Sequence, residues 1–188
     1  MDMNPWEEDA ARYQVLAFWA YQDETSQGQA HDALIYPGLY SASSWDIMGI
    51  LLQIYQRPNP QIQLGNLDAS CPIIMCDLTQ PDQPIVYASP AFLDMSGYTL
   101  PEVMGRNCRF LQAPGGKVRP RSTRKYVDKD IIRRMRKAVD RKTELQIEVV
   151  NFKKNGEQFL NLLSMIPVQV GSPDYNYCVG FQHDLRQD

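Results

Sequence analysis

Long apolar runs are missing from this sequence. None approaches the ~20 residues that a membrane span requires, so no membrane segment is expected. Cysteine and histidine are scarce. Cys71, Cys76, Cys108 and Cys178 include no C-x-x-C pair, and only His31 and His183 can add imidazoles. No metal site is expected from that pattern. The opening MDMNPWEEDAAR carries acids where a secretory or mitochondrial signal carries bases. The expected compartment is therefore the cytoplasm or nucleus, with reduced thiols. No G-x-G-x-x-G fingerprint of a dinucleotide enzyme occurs, and there are no internal repeats.

What is present suits an ordinary globular fold. The chain has 188 residues, 44% apolar and 22% charged, enough for one domain of roughly 100–150 residues and an extension. The net charge of −3 conceals an asymmetry. Residues 1–70 hold nine acids against two bases, a net of −7, and residues 117–142 hold twelve bases against three acids, a net of +9. A block this basic calls for an anion, a partner or a solvated face.

Hydrophobic spacing predicts the elements. Residues 10–21 fit a short helix. Over 46–56, Ile47, Ile50, Leu51, Ile54 and Tyr55 recur at helical spacing. Ser43 and Asp46 resemble a capping box, and Arg57-Pro58 stops the helix. Strands are expected over 71–78 and 85–89, and short helices over 90–96 and 101–105. A loop over 106–127 precedes a helix over 129–139. Strands follow over 144–152, 157–166 and 175–183. That order implies an α+β domain, an antiparallel sheet with helices on one face.

Each of the last three strands sets one amide on an apolar face: Asn151, Asn161 and Gln182. A buried amide without a partner costs about 1–3 kcal/mol. The three either bond one another, bond a flat polar-edged ligand, or sit at strand ends in water. Asn155-Gly156 favours a two-residue turn, which would put Asn151 and Asn161 on opposite faces. Only a loop with an odd number of residues puts them on one face.

Residues 105–112 read Gly-Arg-Asn-Cys-Arg-Phe-Leu-Gln. Here the chain resembles the LOV photoreceptors, the flavin-binding branch of the PAS superfamily, whose signature is G-x-N-C-R-F-L-Q. The likeness extends over about residues 68–184, including IVYASPAFLDMSGYTLPEVMGRNCRFLQ and NFKKNGEQFLNLLSMIPV. Among LOV proteins it is similar to the short fungal type represented by Vivid and Envoy, with a cap before the core. The resemblance implies a PAS fold, a five-stranded antiparallel sheet with helices on one face holding a flavin. Residues 1–67 would form the N-terminal extension and helical cap. Residues 68–186 would form the photosensory domain, with a flavin-loop insertion over about 113–127.

The same resemblance assigns chemistry. Blue light drives addition of the Cys108 thiol to the flavin, and the adduct reverts in the dark. Asn151 and Asn161 would bond the pyrimidine edge of the ring, which favours the odd loop. Gln182 would answer the change of protonation by rotating its amide, which has a donor end and an acceptor end. Asn107 and Gln112 belong to the cofactor-binding motif, and Ile74, Ile85, Met135, Leu163 and Met165 match apolar positions around the ring. Ordinary core packing accounts for those five equally well. Arg109 and Arg136 match phosphate-binding positions. The segment after Gln112 is about eleven residues longer than the common LOV pattern, a length that signals function. Its bases, Arg121 among them, suit a pyrophosphate, so FAD is expected, with FMN as the alternative.

A different class of reading is a thiol-redox or ligand-sensing PAS module without photochemistry, working through Cys71, Cys76 or Cys178. Direct nucleic-acid binding is disfavoured. The basic helix keeps an apolar face, and no zinc-finger or RNA-recognition pattern is present. The chain is read as a sensor and not an enzyme. Its output would be shape: Tyr40 and Ile47 of the cap, and Asp68 and Cys71 at the hinge, would repack in light. The expected partner is a second copy, or a White Collar-type LOV transcription factor in photoadaptation.

Overall fold

The computed structural model describes residues 45–65, 67 and 71–186. The helix expected over 10–21, the cap at Ser43, and the hinge residues Tyr40 and Asp68 lie outside the described residues. From Met48 onward the chain forms one compact unit.

Helix α1 (Ile47–Gln56) turns Ile50 and Ile54 inward. Its expected apolar face was wider than the covered one, for Tyr55 is 77% exposed, with Met48 and Leu52 also outward. An ion pair just beyond the helix fixes this orientation. Arg57 Nε meets Glu144 Oε1 at 2.6 Å, and Arg57 Nη1 donates to the Ile54 carbonyl at 2.6 Å. Glu144 Oε2 also accepts from the backbone N–H of Gln61 and Ile62. Both charged groups are largely buried, so these extra bonds offset their desolvation.

Five strands follow: β1 (Ile73–Asp77), β2 (Ile85–Ala88), β3 (Leu145–Phe152), β4 (Gln158–Val168) and β5 (Tyr177–Asp184). They form one antiparallel sheet in the order β2-β1-β5-β4-β3. The order sets β5, last in the chain, at the centre beside β1. Strand period two divides the sheet into two faces. Ile74, Cys76, Cys178, Gly180, Gln182, Leu163 and Asn161 share the inner one, and Met75, Val179 and Ile166 share the outer one. Ile54 of α1 lines a hollow with Ile166 and Val168, which places α1 on the outer face.

The β3–β4 hairpin resolves the register. Lys153 N–H donates to the Glu157 carbonyl at 2.8 Å, so the loop is Lys154-Asn155-Gly156, with three residues. Gly156 takes φ +87°, which a side chain disfavours. Asn151 therefore faces Phe159 and Asn161 faces Val149, and both amides share the inner face.

Helices cover that face. Helix α2 (Pro90–Ser96) starts at Ser89, whose hydroxyl accepts from Phe92 N–H, and ends at Gly97 with φ +74°. Helix α3 (Leu100–Val103) begins with a Thr99–Glu102 capping box. Helix α4 (Lys129–Arg141) runs two residues beyond its expected end, and Lys142 in the left-handed region stops it. The segment 106–127, expected as loop, contains two 3-10 helices, Cys108–Gln112 and Pro114–Gly116. Asn107 causes the first by capping it, since its side chain accepts from Arg109 N–H at 3.0 Å.

Candidate functional site

Between the inner face of the sheet and α4 lies a cavity of about 790 Å³. Its size falls in the range of small-molecule and cofactor pockets. Strands β1, β3, β4 and β5 supply one wall, α4 a second, and the segment 107–124 a third.

The amides meet in this wall. Asn161 Nδ2 donates to Asn151 Oδ1 at 2.9 Å and to Gln182 Oε1 at 2.7 Å. Asn161 Oδ1 accepts from His183 N–H. All three amides are buried, and Gln182 Nε2 has no partner. An orphaned donor here is costly unless a ligand accepts from it. Gly180, two residues before Gln182, keeps the same wall flat. A Cβ there would lie 3.1 Å from Gln182 Nε2 and 3.3 Å from Ile74 Cγ1. Glycine inside a strand marks close approach by another group.

The motif around Cys108 has a packing reason at nearly every position. Arg106 lies over the Phe110 ring at 4.4 Å and donates to the carbonyls of Glu102 and Gly116. Asn107 caps the turn, and Phe110 and Leu111 are buried. Gln112 Oε1 accepts from Arg124 Nε at 3.0 Å. This scaffold holds the half-buried Cys108 at the cavity wall, where Cys76 and Cys178 join it. Cys76 Sγ lies 3.1 Å from Cys108 Sγ. That contact and burial hold the Cys76 pKa well above the ordinary thiol value. Burial pushes Cys178 up to about 12.

Guanidinium groups crowd the same cavity. The Arg124 pKa is lowered by burial first and then by the charges of Arg109 and Arg136, with Asp82 opposing. Arg109 Nη1 donates to both Asp82 carboxylate oxygens at 2.8 Å. Arg121, with φ +59°, and Arg136 also line the cavity. Such a cluster, only partly compensated by the carboxylates of Asp82 and Asp140, favours an anion.

The structure thus brings together Ile74, Asn107, Cys108, Arg109, Gln112, Arg121, Met135, Arg136, Asn151, Leu163, Met165 and Gln182 along one cavity. Asn161 stands behind its surface, bonded to two of them. Ile85 is buried in the core with Ile74, Cys76, Phe92 and Val103, a cluster against which Cys108 packs. Arg109 lines the cavity with its guanidinium paired to Asp82. Ile47 and Cys71 lie at the start of α1 and just before β1. The Cys71 carbonyl accepts from the Ser89 hydroxyl. Asp82 was missed; Arg124 belongs to the basic loop expected at the phosphates, and Cys76 and Cys178, named only as redox thiols, were not expected beside Cys108. The signal for the thiols was present, since Cys76 and Cys178 share the face of Ile74 and Gln182, but their approach to Cys108 is long-range.

Among the described residues no helix is long and apolar enough to cross a membrane, and no cluster of metal-ligating side chains occurs.

Comparison with known proteins agrees with this geometry. Residues 70–187 match the PAS domain family model. The blue light receptor lreA of Aspergillus flavus is 45% identical over 150 residues, covering 80% of this chain and 18% of that protein. White collar 1 protein of Neurospora crassa is 40% identical over 147 residues, covering 78% of this chain and 13% of that protein. The chain thus spans less than a fifth of the length of these relatives. The light-state dimer of the fungal blue-light photoreceptor Vivid is 58% identical, with a TM-score of 0.74, over 78% of this chain and 99% of that one. The matching motif, the five-stranded sheet and these relatives together show that the chain belongs to the PAS domain family, in its LOV branch of blue-light receptors.

Proposed function

We propose that this protein is a blue-light receptor whose chromophore is a flavin held in the cavity under α4. The orphaned Gln182 Nε2 carries the reading, because a buried donor beside a roomy polar wall requires an acceptor. The residues present fit a flavin in two further ways. Gly180 leaves room for a flat ring, and guanidiniums line the same space for phosphates. When bound, the flavin supplies blue-light absorption and a ring carbon to which a thiol adds reversibly. Cys108 holds that thiol at the cavity wall and gives up its proton. Asn151 would hold the polar ring edge, with Asn161 bonded to it and to Gln182 from behind, and Ile74, Met135, Leu163 and Met165 would exclude water. Gln182 exchanges its donor and acceptor ends, and the bond to Asn161 carries that change into β4.

FAD is the preferred flavin, because Arg121, Arg124 and Arg136 supply charge for a pyrophosphate while Arg109 is engaged by Asp82. Chromatography of the released cofactor distinguishes FAD from FMN. The domain division is residues 1–67 as extension and cap and 68–186 as the sensor. Output proceeds by repacking of the cap and pairing with a second copy, for which the exposed Met48, Leu52 and Tyr55 offer apolar surface. The dimeric light state of Vivid supports this. A White Collar-type LOV factor is the second partner, in photoadaptation of transcription in the cytoplasm or nucleus. The receptor acts as a sensor and turns over no substrate.

Purified full-length protein is expected to be yellow, to bleach in blue light and to recover in darkness. Failure to retain flavin, or absorbance indifferent to blue light, overturns the reading. Size exclusion in light and dark tests the dimer, and identical elution refutes it.

A further inference from the structure

Three thiols converge on one wall of the cavity. Cys76 on β1 and Cys178 on β5 are register partners on the inner face, and Cys108 meets them from the start of its 3-10 helix. The Cys76 and Cys108 sulfurs are 3.1 Å apart. A disulfide bond is about 2.05 Å long, so an approach of about 1 Å joins them. The Cys178 sulfur instead points to the Val179 carbonyl at 3.9 Å.

We propose that Cys76 and Cys108 are a redox couple, joined as a reversible disulfide when a hydroperoxide enters the cavity. Its regulatory consequence, that the oxidised receptor is blind, rests on the photoreceptor reading above. Cys108 is the half-exposed member and reacts first. Its sulfur attacks the distal oxygen of the peroxide; the S–O bond forms, the O–O bond breaks, and the Cys108 proton leaves with the departing oxygen, giving a sulfenic acid and an alcohol, or water from hydrogen peroxide. Cys76 sulfur then attacks the sulfenic sulfur. The S–O bond breaks, the S–S bond forms, and the Cys76 proton leaves with the hydroxyl as water. Two thiols lose two electrons and one peroxide gains them. The raised pKa of Cys76 keeps it a thiol at neutral pH, so this second step is slow there and quickens as pH rises.

Flavin-loaded full-length protein is treated in the dark with hydrogen peroxide and alkylated. Before alkylation, intact mass should fall by about 2 Da, the difference between two thiols and a disulfide. Titratable thiols among the described cysteines should drop from four to two. Peptide mapping should recover Cys76 bonded to Cys108, and dithiothreitol should reverse it. Blue-light bleaching should be lost in proportion to the cross-linked fraction and return on reduction. Cys76→Ser should abolish the cross-link, and Cys178→Ser should still form it. A cross-link through another cysteine, direct passage to sulfinic acid, or full bleaching by cross-linked protein overturns the proposal. Protein that never bleaches before peroxide refutes the photoreceptor reading alone, and the mass result still judges the disulfide.

Discussion

Replacing Gln182 by Leu should have opposite effects on the flavin-free and flavin-bound protein. In the flavin-free protein the side chain makes one bond, from Asn161 Nδ2 at 2.7 Å, and buries Nε2 without a partner. Losing that bond costs about 0.5–1.5 kcal/mol, whereas removing a buried orphan donor returns about 1–3 kcal/mol. Asn161 Nδ2 keeps its bond to Asn151 Oδ1 at 2.9 Å, but its second N–H loses its acceptor and takes back part of that gain. Leu has similar volume and adds apolar burial beside Ile74 and Leu163. The net is a stabilisation of about 1 kcal/mol, or a rise in Tm of roughly 2–6 °C for a unit of this size. With flavin bound, the same change removes a donor from the ring and lowers affinity. Denaturant titration of deflavinated wild type and variant, paired with flavin titration, reads both effects. A flavin-free variant destabilised by more than about 1 kcal/mol would refute the orphan-donor argument. Unchanged flavin affinity would remove Gln182 from the site.

The remaining expectations concern the walls of the cavity and the latch. Gly180→Val should leave the fold intact but block flavin uptake, because even its Cβ meets Gln182 Nε2 at 3.1 Å; reconstitution to wild-type stoichiometry counts against a flat ligand at that wall. Cys108→Ala should stay yellow and lose reversible bleaching, as followed by absorbance under blue light. Arg57→Met leaves Glu144 buried without its cation and should cost about 3–5 kcal/mol in urea unfolding; a cost under about 1 kcal/mol would mean the ion pair is not a latch. Cys178 has a folded pKa of about 12 against an ordinary 9.0. The folded state therefore binds more protons between those values, and stability is full below pH 9 and declines as pH rises toward 12. Cys178→Ala should flatten that alkaline decline in a pH series of unfolding midpoints, and an unaltered slope refutes the assignment.

How much was legible depends on range. Helix α4 was readable because Ile132, Met135 and Val139 repeat at 3.6-residue spacing, and those same residues line the cavity. The eight residues around Cys108 were readable because their packing partners are mostly local, as with Arg106 over Phe110. The 3-10 turn itself was not, since Gly, Asn and Pro in that stretch read as loop until Asn107 is seen to cap it. Ile85 stayed open between ring and core, because an apolar residue on a two-sided strand suits either, and it packs in one cluster with Ile74 and Cys108.

The sequence by itself determined the period of each strand and helix, and hence which residues share a face. It also determined the motif that places a thiol after an Asn cap. Charge arithmetic located the basic segment whose Arg121, Arg124 and Arg136 now line the cavity. Tertiary structure decided the rest, because those outcomes depend on contacts between residues far apart in the chain. The hairpin register was open until Lys153 bonded Glu157 across a three-residue loop, which alone puts Asn151 and Asn161 on one face. The ion pair between Arg57 and Glu144, the capture of Arg109 by Asp82, and the 3.1 Å approach of Cys76 to Cys108 leave no trace in local pattern. Each arises only when segments far apart in the chain pack against one another on the finished sheet.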